Sequence, residues 1–247
     1  MLTRTLYAVV ALLLGAYYSS AHATIVLNGT RVVFESSNKE ASLSVHNAGN
    51  EEVLLQSWLE IEAGSTADVP FAVTPPLARL PGNARQVLRI MYRGDGVAKD
   101  KESVFWLNVQ EIPKVIEGSN VLQLAVRQRI KLFYRPAGLA GSAKNASAAL
   151  KWQIASRANL NVLQVHNPSA YHVSIAQLKV SGKNFETEAV SSQMIAPGQT
   201  ADIPMKTPIG TSSLKLDFTS INDFGGPDNY QTQLEPGRSV TAHSVNH

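Results

Sequence analysis

The sequence predicts an all-β fold of two sandwich domains, and three observations predict it. Short alternating segments recur along the chain, among them Ala41–Val45, Val53–Ile61, Val87–Tyr92, Val104–Ile112, Val121–Leu132, Val162–Val165, Val173–Val180 and Leu214–Phe218. They are rich in Val, Leu, Ile and aromatic residues and are separated by Gly, Pro, Asn and Asp, the pattern of half-buried strands joined by turns. No long segment carries a capped helical period; Lys99–Glu102 is expected to form one short helical turn at most. Finally, a motif recurs: Val45-His46-Asn47 returns as Val165-His166-Asn167, 120 residues later. Each is followed by an apolar strand and a Pro-Gly turn, Pro81-Gly82 and Pro197-Gly198. The echo is short and serves only as support for a duplicated sandwich.

The elements follow in chain order. Arg4, the apolar run Leu6–Tyr18 and the small residues ending at Ala23 read as a secretory signal cut after Ala23. The apolar run is too short for a transmembrane helix, which needs about 20 residues. The remaining 24–247 is long enough for two domains. The expected boundary is the small-residue stretch Ala137–Ser147, giving domains 24–140 and 141–247.

Composition excludes several classes. With Arg4 removed, 21 basic residues face 19 acidic ones, a net charge of +2, and no Lys/Arg run tracks a phosphate backbone, so nucleic acid is not an expected partner. Cysteine is absent, which removes thiol catalysis and thiolate metal sites and leaves burial to hold an exported chain together. There is no G-x-S-x-G elbow, no HExxH and no phosphate-binding glycine loop. His166 and His172 are six apart, a spacing that fits no common zinc site, and His46 and His166 are expected at strand ends. No enzyme activity, cofactor, metal or small-molecule substrate is expected.

The informative stretch runs from Val97 to Pro136. Leu122, Leu124, Val126 and, past Gln128, Ile130 share one face of a strand. Val121, Gln123, Ala125, Arg127, Arg129 and Lys131 share the other. On pattern alone this is an ordinary core strand, although a run this long exceeds the usual 5–6 residues or so.

The segment Val97–Pro113, which contains Glu102-Ser103-Val104-Phe105-Trp106-Leu107-Asn108-Val109-Gln110-Glu111-Ile112-Pro113, resembles the signature of the periplasmic pilus chaperone family. Ile130-Lys131-Leu132-Phe133-Tyr134-Arg135-Pro136 is similar to the end of that family's subunit-binding strand. Thr30–Phe34, Thr74-Pro75-Pro76 with Arg79-Leu80, and Ile221-Asn222-Asp223-Phe224-Gly225-Gly226 extend the resemblance over nearly the whole mature chain.

The resemblance implies two immunoglobulin-like β-sandwich domains set at an angle, with a cleft between them. It implies that Arg31 and Lys131 hold the C-terminal carboxylate of a pilus subunit in that cleft. It implies a buried interdomain ion network of Glu102, Arg135 and Asp223. It further implies a donor strand whose Leu122, Leu124, Val126 and Ile130 fill the open groove of an incomplete subunit, with an outer-membrane usher as the receiving partner and the periplasm as the compartment. In a flat strand Lys131 lies opposite the donor leucines, so a twist or bulge is expected between them. The short loop Lys114–Ser119 resembles the short-loop branch of the family, associated with rod-like pili or composite fimbriae, and the lack of a Cys pair departs from some members. Self-association of the free protein is left open. An exported adhesin-like sandwich and a secreted hydrolase are the competing readings; neither has a sorting signal, repeat or nucleophile in this sequence to support it.

Overall fold

The computed structural model describes residues 24–114, 124–157, 160–209 and 213–245. The expected signal, 1–23, and Leu122 of the apolar row lie outside the described residues, as do 115–123 generally.

The described chain is almost wholly β, in two sandwiches. The first comprises β1 (Ile25–Leu27), β2 (Arg31–Glu35), β3 (Glu40–Asn47), β4 (Val53–Glu60), β5 (Phe71–Thr74), β6 (Leu77–Leu80), β7 (Arg85–Tyr92), β8 (Ser103–Ile112) and β9 (Arg127–Arg135). One sheet is ordered β1-β3-β7-β5 and the other β2-β9-β8-β4-β6. The first segment changes sheet: β1 lies antiparallel on β3, whereas β2 lies parallel on β9. Asn28 holds the crossing, since its backbone N–H reaches Ser44 O and its Oδ1 accepts the Ser44 N–H.

The period-2 alternation turns one face of each sheet inward. Leu43 and Val45 of β3, Leu88 and Ile90 of β7, Phe105, Leu107 and Val109 of β8, and Ile130, Leu132 and Tyr134 of β9 make this core. Phe34 sits among Phe71 and Tyr134 with ring centroids 5.8 Å away in both cases. Each fully buried side chain of this kind contributes roughly 1.5–3 kcal/mol, which is how the domain holds without disulfides.

The second sandwich follows α1 (Ala143–Ala149). Its strands are β10 (Lys151–Arg157), β11 (Leu160–His166), β12 (Val173–Gly182), β13 (Phe185–Glu188), β14 (Gln193–Ile195), β15 (Thr200–Ile203), β16 (Leu214–Ile221), β17 (Pro227–Leu234), β18 (Val240–Thr241) and β19 (His243–Ser244). One sheet is ordered β15-β11-β10-β18; the other is β13-β12-β16-β17-β19, with β14 also on β12. Trp152 is fully buried and packs on Phe218, which stacks on Tyr230.

Local structure departs from expectation at two places. Lys99–Glu102 forms bends rather than a helical turn. The small-residue stretch Ala137–Ser147 runs into the helix α1, because Ala-Lys-Asn-Ala-Ser-Ala-Ala is rich in the best helix former. Its buried Ser147 donates to Ser220 Oγ at 2.9 Å, which ties the helix to β16.

The repeated Val-His-Asn motif has a structural cause. Asn47 is fully buried and its Nδ2 donates to the carbonyls of Glu51, Leu80 and Pro81, while its Oδ1 accepts the Gly49 N–H. Asn167 is fully buried and its Nδ2 donates to the carbonyls of Tyr171, Ile195 and Ala196, while its Oδ1 accepts the Ser169 N–H. In each sandwich one amide thus clamps the end of a central strand to the chain entering the Pro-Gly turn.

Candidate functional site

Three structural facts define the site: an ion network between the sandwiches, a pair of desolvated cations beside it, and a strand edge that is open on one side.

Arg31 of β2 and the outward positions Lys131, Phe133 and Arg135 of β9 face the second sandwich. Arg135, at the end of β9, reaches across. Its Nη1 and Nη2 donate to the two carboxylate oxygens of Asp223 at 2.6 and 2.7 Å, and its Nε donates to Glu102 at 2.6 Å. The bidentate geometry is the one that suits a guanidinium best. Glu35 lies farther away, at 3.5 Å. The Arg135 guanidinium lies 5.5 Å from the Tyr171 ring. Burial pushes the Arg135 pKa down, but the bonds from Asp223 and the charge of Glu102 outweigh it and hold the group above its ordinary value.

The sequence did not single out His172 as a member. Its backbone N–H donates to Glu102 Oε1 at 2.8 Å and its ring Nδ1 lies 2.9 Å from the same oxygen. The Glu102 N–H in turn donates to Ala170 O. The one signal available was position: His172 directly precedes β12, whose start faces the cleft. Asp223 is presented by the turn after β16, where Gly225 has φ +83 and an added Cβ would stand 2.7 Å from Thr30 Oγ1. Only glycine fits that approach, so the turn can press against the first sandwich.

Beside this network stand Arg31 and Lys131, brought opposite each other by the parallel pairing of β2 and β9. Arg31 Nη1 donates to Ile221 O at 2.8 Å, and Lys131 Nζ donates to Ser174 Oγ at 3.0 Å. Both cations are therefore held by the second sandwich although both belong to the first. The Arg31 guanidinium lies 5.7 Å from the Phe133 ring, and its buried Nε has no acceptor among the described residues. Burial lowers the pKa of both groups; the nearby Arg31 charge lowers Lys131 further, while Asp223 and Glu102 partly offset the effect at Arg31. A cavity of about 260 Å³ opens here, lined by Arg31, Phe133, His172, Ser174 and Asp223 among others.

The edge of β9 changes partner at the same point. From Lys131 to Arg135 it is covered by β2. From Arg127 to Ile130 its far side is occupied by β8, and no strand among the described residues pairs with the near side. Leu124 and Val126, just before β9, are 70% and 40% exposed. Ile130 differs: it is buried in the first core, so the apolar row expected to run from Leu122 through Ile130 divides after Val126. The residues Leu124–Val126 precede the strand rather than belonging to it, so β9 is shorter than the expected Val121–Leu132 run. The pairing of β9 with β8 is continuous from Arg127 to Tyr134, so no bulge intervenes there. Lys131 lies on the cleft face by plain alternation, and Ile130 on the core face.

Comparison with known proteins then places the chain. Residues 24–140 match the family of pili and flagellar-assembly chaperones, PapD N-terminal domain, and residues 145–232 match the pili assembly chaperone PapD, C-terminal domain. The chaperone protein FimB/FhaD of Bordetella pertussis is 38% identical over 91% of this chain and 93% of its own length. YadV of Escherichia coli is 40% identical over 85% of this chain and 90% of its own. A crystal structure of the YadV chaperone superposes with a TM-score of 0.75, covering 86% of this chain and 100% of that one. The SafB chaperone of Salmonella enterica, solved in complex with the SafA pilin, superposes with a TM-score of 0.72 at 25% identity, over 92% of this chain and 99% of its match. The two sandwiches, the cleft between them and these matches over most of the chain lead to one conclusion: the chain belongs to the pili assembly chaperone family.

Proposed function

We infer that this chain is a periplasmic chaperone that binds, folds and caps fimbrial subunits by lending them a β-strand, and then delivers them to an outer-membrane usher. The observation that carries the reading is the desolvated cation pair Arg31–Lys131 at the point where β2 stops covering β9. Two like charges held out of water are unfavourable alone and favourable around an anion. A polypeptide C-terminus supplies that anion, and the rest of its strand extends along the open edge by β-augmentation.

The donor side chains are Leu122, Leu124 and Val126. Ile130 stays with the chaperone's own core. The Glu102–Arg135–Asp223 network serves orientation more than stability, because desolvation offsets much of the attraction of a buried ion pair. It sets the angle at which the second sandwich presents Ser174 and Ile221 to the two cations. The same reading takes 24–140 and 141–247 as the domains and 1–23 as the signal that exports the chain. The SafB–SafA complex supports subunits as the partner class, and family membership supports the absence of a catalytic role.

The test is periplasmic co-expression with a fimbrial subunit. Wild type is expected to copurify with it. Lys131→Ala is expected to melt at the same temperature and lose the subunit. A variant that still copurifies would falsify the anchor.

A further inference from the structure

We propose that the outward face of β9 reads acidic side chains on the captured strand, with Arg127 and Arg129 selecting the segment upstream of its terminal carboxylate; this rests on the anchor reading above.

Alternation puts Arg127, Arg129 and Lys131 on one face of β9, two residues apart. The neighbouring outward positions are Gln110, Asn108 and Trp106 of β8 and Gln56, Trp58 and Glu60 of β4. Arg129 lies flat on Trp106, with Cζ 3.9 Å from the ring centroid, and Arg127 lies 5.9 Å from the Trp58 ring. Stacking of this kind fixes a guanidinium while leaving its in-plane donors for an anion.

Those donors are not used up within the chain. Glu60 is the one acidic residue on the outward positions of β4, β8 and β9 among the described residues, and it is itself buried. It accepts the Trp58 Nε1–H at 2.9 Å, and it stands 3.8 Å from Arg129 Nε, too far for a hydrogen bond. Arg129 Nε and Nη2 are enclosed without an acceptor, and its side chain keeps 25% of its surface exposed, so only the outer part of the guanidinium can meet an incoming group. Arg127 is exposed and makes no ion pair among the described residues. The face thus combines Trp and Arg, the residue types that dominate binding hot spots, with a net positive charge, since Glu60 stands alone against Arg127, Arg129 and Lys131.

Geometry fixes what meets it. A segment whose carboxylate sits at Arg31 and Lys131 cannot continue past them along this edge, because β2 occupies it. It must run back beside Ile130–Arg127, which makes it parallel to β9. Its alternate side chains then share the Lys131 face and fall beside Arg129 and Arg127 in turn. The occupant is therefore a strand ending in a free carboxylate, apolar on the core face and acidic on the other.

The experiment uses the mature chain and short free-acid peptides in which Val alternates with Glu or with Gln, each in both phases. In one phase the Glu peptide is expected to bind roughly tenfold tighter than its Gln counterpart at low salt, the scale of a charge-assisted bond. The advantage should shrink at high salt. It should vanish in Arg127→Gln/Arg129→Gln, and be reduced in Arg127→Gln alone, an exposed change that keeps the test available if the double variant does not fold. C-terminal amidation should weaken Glu and Gln peptides alike. Equal affinity of the two peptides in both phases, or an advantage that survives the substitutions, overturns this proposal while leaving the amidation effect intact. Indifference to amidation overturns the anchor reading, and this proposal with it.

Discussion

Lys131 of the first sandwich donates to Ser174 Oγ of the second at 3.0 Å, so the cation that ends the open edge is aimed by the opposite domain. Under the proposed anchoring role this contact couples domain orientation to anion capture, and the Arg31 bond to Ile221 O repeats the arrangement beside it.

The first prediction is a pH dependence of capture. Burial, aided by the Arg31 charge, lowers the Lys131 pKa below its ordinary value. Subunit capture should therefore be full at neutral pH and fall as pH rises through this lowered value, before a free lysine would titrate. Fold stability should move the other way. Between the lowered and the ordinary value the unfolded chain holds the extra proton, so stability contributed by this group rises with pH. Lys131→Arg should keep its charge throughout and flatten the capture profile. Affinity for a fimbrial subunit and the urea midpoint, both followed against pH, check the two signs; parallel trends would refute the assignment.

The second prediction concerns Asp223. Its removal leaves Arg135 bonded to Glu102 and near Glu35, so the guanidinium is not stranded. Asp223→Ala is expected to shift the small-angle scattering profile and reduce pilus assembly while costing about 1 kcal/mol or less of domain stability, since Asp223 is partly exposed. An unchanged profile with full assembly would count against an orienting role.

The third prediction rests on the paired asparagines. Asn47→Ala and Asn167→Ala each strip the partner from buried carbonyls, an effect of about 1–3 kcal/mol. The losses should be confined to separate domains and should add, because the two sites share no partner. Tryptophan fluorescence separates them during urea unfolding: Trp58 and Trp106 report on the first sandwich and Trp152 on the second. A single transition, shifted alike by either change, would instead mean that the domains unfold as one unit.

These residues also mark what the sequence could and could not say. Alternation was enough to read β3, β4, β8 and β16 as strands, because each has one buried face. The Val-His-Asn echo was legible as a repeat, but its cause, one amide bonding to three carbonyls, is a tertiary fact. Arg31 and Lys131 are linked by a parallel pairing across about a hundred residues, which no local pattern can reveal without the family resemblance. The contacts made by Ser174, His172 and Ile221 could not be read from the sequence because they act through a hydroxyl, a ring nitrogen and a backbone carbonyl at strand ends. Val126 and Ile130 have the same parity and similar chemistry, yet one is exposed and the other buried. Periodicity assigns a face; it does not say where a strand leaves the body of its sandwich.

The last prediction uses that division. Leu124 is 70% exposed, whereas Ile130 is packed with Leu132 and Phe105 in the first core. Leu124→Glu should therefore fold normally and melt within a few degrees of wild type, because its charge stays in water. Ile130→Glu should unfold the first domain, because an unpaired carboxylate would be buried. Subunit binding should fail in both, for different reasons. In the first the donor side chain is lost, which removes roughly 1.5–3 kcal/mol of burial and adds the cost of placing a charge in the subunit's groove. In the second no folded chaperone remains. The unprotected subunit, with an exposed core and a bare strand edge, should then aggregate or be degraded. Circular dichroism melting beside a subunit-binding assay separates the outcomes. A Leu124→Glu protein that folds and still binds the subunit with wild-type affinity would remove Leu124 from the donor row and leave the open edge of β9, with Arg31 and Lys131, to account for capture alone.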